Sequence, residues 1–331
     1  MKRLLPSLCA ALLLAACGHN SAPGAAPLRI ALVAKSLGNG FFDAVHKGGA
    51  EAAAELGGVE LIFTGPTTPT AEGQIEVLNA LISQHVDAIA LSANDPDALL
   101  PTLQRAAHRG IKVISYDSSV AAAGRIVHLA PSSDELIGQT CVQLAADAMP
   151  AGRSGFAILS ATPTSTNQNA WIAAMKRALP GFPGLTLVSV VYGDDIADKS
   201  YREAVALLRK YPDLAVIVSP SSVGIVAAAK AVEDEGKVGQ VHVTGLGLPS
   251  EMAGHVKTGS VKSFAIWNPI DLGYAAVQLA TRIARGASAG PGTTVPIGRL
   301  GIATFDAGGS APMARPYVYD QSNVAKFAAI F

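Results

Sequence analysis

A lysine, several carboxylates and a set of amides stand just past short apolar runs of this 331-residue chain. Lys35 follows Leu28–Ala34, Asn94 and Asp95 follow Ala88–Leu91, and Asp117 follows Lys112–Ser115. Further on, Asn167, Gln168 and Asn169 open a helical stretch, and Pro220, Ser221 and Ser222 follow Leu214–Val218. Carboxylates offer paired acceptors, amides offer donors and acceptors together, and a lysine offers a fixed cation. That combination matches the adjacent hydroxyls of a small polyol. Phe41, Phe42 and Trp267 are placed to cover the faces of a ring by apolar packing. Each residue also has a plainer reading. Asn167 or Ser165 would cap a helix, and Asp95 would be an N-cap with Pro96 at the first helical position. Lys35 would be a solvated loop lysine, Phe42 a core residue and Trp267 a cover over the core. Their joint placement at strand ends in both halves of the chain is what points to a ligand.

Catalytic patterns are missing. Gly38-Asn39-Gly40 follows a strand and opens a helix, but the third glycine of a dinucleotide fingerprint falls on Asp43. There is no Walker A sequence, no His-Glu-x-x-His and no Gly-x-Ser-x-Gly elbow. The seven histidines have no metal-ligand spacing and the three cysteines are unpaired in sequence. The expectation is a binding protein with no catalytic residue, no metal and no cofactor, an exported sugar-acting enzyme being the alternative. With 25 basic and 25 acidic residues the chain has no net charge, so it lacks the basic field that nucleic acid requires. Cys141 lies in a helical stretch and reads as a small buried apolar group.

These side chains need elements to hold them. From Leu28 onward, short β-rich runs alternate with longer helical ones. Strands are expected at 28–34, 59–63, 88–91 and 112–115, with helices at 41–56, 71–85 and 95–109 between and after them. Gly110 marks a helix end. The rhythm restarts after Pro131, with helices at 134–148, 168–179, 198–210 and 223–235 and strands at 156–159, 185–191, 214–218 and 241–244. Alternation of this kind gives parallel sheets covered on both faces, so the fold class is α/β with two doubly wound parallel-sheet lobes joined by a hinge. Ligands of such sheets bind beyond the strands' carboxyl ends, where the polar residues stand. The stretch 262–331 holds a strand, a helix near 269–285 and Gly/Pro-rich segments. It is too short for a third lobe and is expected to stitch the other two together.

The first residues have another purpose. Lys2 and Arg3 precede the apolar run Leu4–Ala16, which is shorter than the roughly 20 residues of a membrane span. Leu14-Ala15-Ala16-Cys17 looks like a bacterial lipobox, which implies cleavage after residue 16 and lipid on Cys17. Residues 17–27 are small, polar and proline-broken, and read as a flexible tether. The mature protein is therefore expected in the periplasm or at the cell surface, anchored to the membrane as a lipoprotein.

Several stretches resemble the type I periplasmic binding proteins that deliver sugars to ABC importers, and in particular the rhamnose-binding proteins and autoinducer-2 receptors. They are Gly40-Phe41-Phe42, Phe63-Thr64-Gly65-Pro66-Thr67, Val86-Asp87-Ala88-Ile89-Ala90-Leu91-Ser92-Ala93 and Arg109-Gly110-Ile111-Lys112-Val113. Asn167-Gln168-Asn169-Ala170-Trp171, Trp267-Asn268-Pro269 and Asn323-Val324-Ala325-Lys326-Phe327 add to them. The resemblance implies a monomer that binds a small sugar and docks on a membrane permease. It implies an N-terminal lobe of residues 28–130 plus about 267–301 and a C-terminal lobe of 131–266 plus about 302–331. Crossovers would lie near 129–131, 266–268 and 300–303. The ligand residues of the autoinducer-2 receptors fall on Lys35, Asp117, Gln168, Pro220 and Ser222, while their paired aspartate is replaced by Asn167. Asp95 adds a carboxylate, and Gly245-Leu246-Gly247-Leu248-Pro249-Ser250-Glu251 brings the chain nearer to the rhamnose-binding side. The expected site is Lys35, Phe41, Phe42, Asp95, Asp117, Asn167, Gln168, Pro220, Ser222, Trp267 and Asn268, with L-rhamnose as ligand and autoinducer-2 as the alternative.

Overall fold

The computed structural model describes residues 26–331. The leader, Cys17 and tether residues 17–25 lie outside the described residues. In the first part of the chain the elements are β1 (Leu28–Val33), α1 (Gly40–Leu56), β2 (Val59–Thr64), α2 (Ala71–Ser83), β3 (Ala88–Leu91), α3 (Leu100–His108), β4 (Lys112–Tyr116) and β5 (His128–Ala130). There follow α4 (Asp134–Ala148), β6 (Gly155–Ser160), α5 (Thr166–Ala178), β7 (Thr186–Tyr192), α6 (Ala197–Lys210), β8 (Leu214–Ser219), α7 (Ser222–Asp234) and β9 (His242–Gly245). The last stretch contains α8 (Pro249–Thr258), β10 (Ser263–Ile266), α9 (Pro269–Ala284), β11 (Thr294–Pro296), β12 (Ile302–Thr304), β13 (Ser310–Pro312), β14 (Tyr317–Asp320) and α10 (Val324–Phe327).

The first sheet runs β13-β5-β4-β3-β1-β2 and every pairing in it is parallel. The second runs β7-β6-β8-β9, also parallel. Isolated bridges from Val243 to Val261 and from Leu246 to Ala265 extend it towards β10, which pairs antiparallel with β14. The inner strands explain themselves: β3 and β8 are apolar and buried along their whole length, as strands covered by helices on both faces must be. Helix starts are capped where the chain supplies an oxygen. Asn39, Thr70, Ser133, Ser221 and Asn268 each accept from a first-turn amide. Cys141 is buried in α4, and burial pushes its thiol up to about 12, so it packs as an apolar group.

Two expectations change. The helix near 95–109 begins only at Leu100, because Asp95 folds back on the amides of Asp97 and Ala98 and turns the chain first. The third crossover lies later than 300–303. β12 stays with β11, and β13 bonds to β5 at the edge of the first sheet. The chain therefore changes lobe between Pro312 and Tyr317. The first lobe keeps residues to about 312, and only the short stretch from β14 onward belongs to the second.

Candidate functional site

Between the carboxyl ends of the two sheets both lobes line a common cavity. Lys35 enters it from the end of β1, almost fully buried at 4% exposure. Its ammonium crosses the cleft to donate to Ser165 Oγ at 2.9 Å and Asn167 Oδ1 at 3.1 Å. Asp117 enters from the end of β4, with a backbone φ of 56°. An aspartate tolerates this left-handed conformation better than most side chains. Its Oδ2 accepts from Ser92 Oγ at 2.7 Å and its Oδ1 from Asn167 Nδ2 at 3.0 Å. Burial raises the Asp117 pKa, while the Lys35 charge and the two donors pull it down.

The second lobe presents the first turn of α5. Asn167 Oδ1 accepts from Lys35, from Ser165 Oγ and from the amide of Gln168, while its Nδ2 donates to Asp117. This one amide, just inside α5, takes a first-turn amide of its own helix and also joins the lobes, while the N-cap position itself is Ser165. Gln168 Oε1 accepts from Ser160 Oγ at 2.7 Å and from the Ala161 amide at 2.8 Å. That pair fixes its carbonyl end and leaves Nε2 without a protein acceptor among the described residues. Pro220 and Ser222 follow β8 and line the same cavity, and Ser222 Oγ reaches Asn39 Oδ1 of the opposite lobe at 3.4 Å.

The other wall is apolar. Phe41, Phe42, Trp171, Leu246, Ile266 and Trp267 line it. The rings meet edge to face: Phe41 with Phe42 at 5.2 Å, Phe41 with Trp267 at 6.2 Å and Trp171 with Trp267 at 5.6 Å between centroids. Such contacts hold large rings in fixed orientation. The Trp267 Nε1 donor is buried with no hydrogen-bond partner.

Nine of the eleven expected ligand residues therefore come together: Lys35, Phe41, Phe42, Asp117, Asn167, Gln168, Pro220, Ser222 and Trp267 all line the cavity. Two do not. Asp95 Oδ1 is engaged by the amides of Asp97 and Ala98 in a turn ahead of α3, whose N-cap is Leu99, and the residue is not among those lining the cavity. Asn268 caps α9 through the Ile270 amide at 3.0 Å and donates to Asp271 Oδ2 at 2.7 Å, which consumes both ends of its amide.

The sequence reading missed Asn39, Trp171 and Asp195, all of which line the cavity. Asp195 stands past the end of β7, so the strand-end rule that found Lys35 and Asp117 applied to it as well. Behind the polar wall a buried glutamine acts as a brace. Gln74 Nε2 donates to the carbonyls of Ala34 and Ser92, and its Oε1 takes the amide of Asn94. Asn94 Nδ2 in turn holds the Lys35 carbonyl at 2.9 Å. The loops after β1 and β3 are thereby tied together, which fixes where Lys35 begins its reach.

The profile of a family described as "periplasmic binding protein domain" matches residues 30–288. A solved ABC transporter solute-binding protein from Clostridium phytofermentas, with bound L-rhamnose, is 35% identical. The likeness covers 92% of this chain and 99% of that one, with a TM-score of 0.88. A protein of Clostridium saccharobutylicum solved in complex with AI-2 is 22% identical over 91% of this chain and 98% of its own, with a TM-score of 0.86, a likeness of fold. The D-ribose/D-allose-binding protein of Pseudomonas aeruginosa is 29% identical across 244 residues, 72% of this chain and 76% of its own.

Proposed function

Because the chain belongs to the periplasmic binding protein family, we propose that it is an extracytoplasmic receptor that closes two lobes on L-rhamnose and presents it to an ABC importer. It is a binding protein and not an enzyme. The observation that carries the choice of ligand is the division of the cavity into two walls. Lys35, Asp117, Asn167 and Gln168 form a hydrogen-bonding wall, suited to vicinal hydroxyls. Phe41, Phe42, Trp171, Leu246, Ile266 and Trp267 form an apolar wall, suited to the face and the methyl group of a deoxyhexose. The 35% identical protein with bound L-rhamnose supports the same choice.

Ligand contact with both lobes favours the closed arrangement, and that arrangement is the one a permease reads. The leader is the basis for the rest of the proposal: cleavage after residue 16, lipid on Cys17 and a monomeric receptor tethered at the membrane surface.

Autoinducer-2 is the second reading, because Lys35, Asp117, Gln168, Pro220 and Ser222 occupy the positions that its receptors use. Asn167 argues against it, since an uncharged amide replaces a carboxylate and changes which donors the site accepts. Calorimetric titration of the mature protein, unfolded and refolded to strip ligand, separates these. One-to-one saturation by L-rhamnose near micromolar, about −8 kcal/mol, is the expected result. Absence of heat from refolded protein rejects rhamnose and passes the test to autoinducer-2, ribose and allose.

A further inference from the structure

The cavity contains a carboxylate to which the reading above gives no role. Asp195 lies on the loop after β7 and lines the cavity from the second lobe, opposite Asp117 of the first. Asp194 and Asp195 both have positive φ, 55° and 52°. Two consecutive left-handed residues other than glycine are costly and persist only where the surroundings hold them. Here the surroundings do so. The amides of Gly193 and Asp194 bond to the carbonyls of Ser160 and Ala161, and Lys199 pairs with Asp194. Ser221 donates its hydroxyl to Asp195 Oδ1. Oδ2 takes no protein donor among the described residues, so one acceptor of a fixed carboxylate is left for a ligand.

We propose that Asp195 is a specificity-determining residue of the second lobe: it accepts a hydroxyl of the bound sugar and, with Asp117, turns away anionic sugars. The charges support this. Among the described residues Lys35 is the one cation lining the cavity, against two carboxylates in the same lining. After burial, the main cause, the Asp195 charge adds a small upward push to the Asp117 pKa. A uronate or a sugar phosphate would add a third negative charge between them, at a distance where like charges repel strongly in a partly dry site. A neutral polyol instead donates to both.

The proposal rests on the sugar-receptor reading, and one experiment separates the two. The full chain and its Asp195→Asn and Asp195→Ala variants are titrated calorimetrically with L-rhamnose and with D-galacturonate, and ligand-free unfolding is followed for all three. Asparagine tolerates the left-handed backbone, so Asp195→Asn keeps the loop even where Asp195→Ala strains it. Wild type is expected to bind rhamnose and not galacturonate. Asp195→Asn is expected to lose about 10- to 100-fold on rhamnose and to narrow the gap between the two sugars. Rhamnose affinity unchanged in Asp195→Asn, or a gap as wide as in wild type, overturns the proposal and leaves the receptor reading standing. Wild type that binds galacturonate in preference to neutral sugars overturns both. Should wild type prefer ribose or allose, the rhamnose assignment falls, and the same comparison with that sugar decides on Asp195.

Discussion

Asp117 is held as an acceptor by two neighbours and strained by its own backbone. Ser92 and Asn167 each occupy one of its oxygens, and its φ of 56° places it where few side chains rest. Ligand hydroxyls would compete with Asn167 for Oδ1, so the interlobe contact and the ligand contact share one atom. Replacement of Asp117 by alanine should lower sugar affinity by about 1.5–3 kcal/mol, the usual worth of a hydrogen bond to a charged group. It should also cost about 1 kcal/mol of stability from alanine in the left-handed region. Titration and denaturant unfolding measure the two effects apart, and undiminished affinity would remove Asp117 from the site. At this scale much was readable in advance, because strand ends and helix starts are local features. Asp95 and Asn268 were misassigned for the same reason: a side chain can satisfy the amide two residues on as well as a ligand, and only the fold decides. Trp171 meets the others from within α5, and nothing local distinguishes it, whereas Asp195 stands past a strand end as Lys35 and Asp117 do.

Half of the apolar wall, Phe41, Phe42 and Trp267, stands at the starts of two helices, and glycines let them meet. α1 begins with Phe41 and Phe42, and α9 starts directly after Trp267 and Asn268. A Cβ at Gly48 would overlap the Ile270 carbonyl, and one at Gly273 would overlap the Val45 carbonyl. The backbones therefore touch at both points, and that closeness brings Phe41 and Trp267 into contact. Replacement of Gly48 by alanine has no flexible neighbour to displace. It should destabilise the protein by about 3 kcal/mol, the upper end for overpacking, and weaken ligand binding as the two aromatic ends separate. Gly254 is the contrast. It lies within α8 with open space where its Cβ would stand, so alanine there should stabilise by roughly 0.5–1 kcal/mol. Unfolding midpoints that move alike for the two variants would refute the backbone-contact account. The alternating strands and helices were legible as elements because each keeps its own period. The crossing of α1 and α9 was not, since the glycine pair lies over 200 residues apart. Nor were β11 to β14, whose three- and four-residue strands are too short to show a period.

At the scale of the molecule the hinge is a paired ribbon. The first crossover leaves β5 after Ala130 and the third leaves β13 after Pro312, and these strands are neighbours at the edge of the first sheet. Backbone bonds continue past the strands, from Met313 to Ala130 and from Ala314 to Pro131 at 3.0 Å each. Closure must therefore bend both segments together. His128 sits in β5 at the root of this ribbon, 8% exposed, with Nδ1 2.9 Å from Ser115 Oγ. Burial, reinforced by the Arg125 charge and only partly opposed by Asp306, lowers its pKa from 6.5 to about 3. The folded protein thus holds His128 neutral where the unfolded chain would protonate it. For a pKa lowered on folding, the stabilisation is complete above pH 6.5 and is lost as pH falls towards 3. The slope approaches 1.4 kcal/mol per pH unit, so about 2 kcal/mol should be lost between pH 6.5 and 5. His242 in β9, whose pKa burial also lowers, adds to the loss from the second lobe. Replacement of His128 by glutamine removes one titrating group and leaves His242 in place. Denaturant unfolding from pH 7 to 5 should then show a shallower acid decline than wild type, whatever the variant's stability at pH 7. Parallel declines would mean that His128 is protonated without cost, and that the ribbon is open to water at its root.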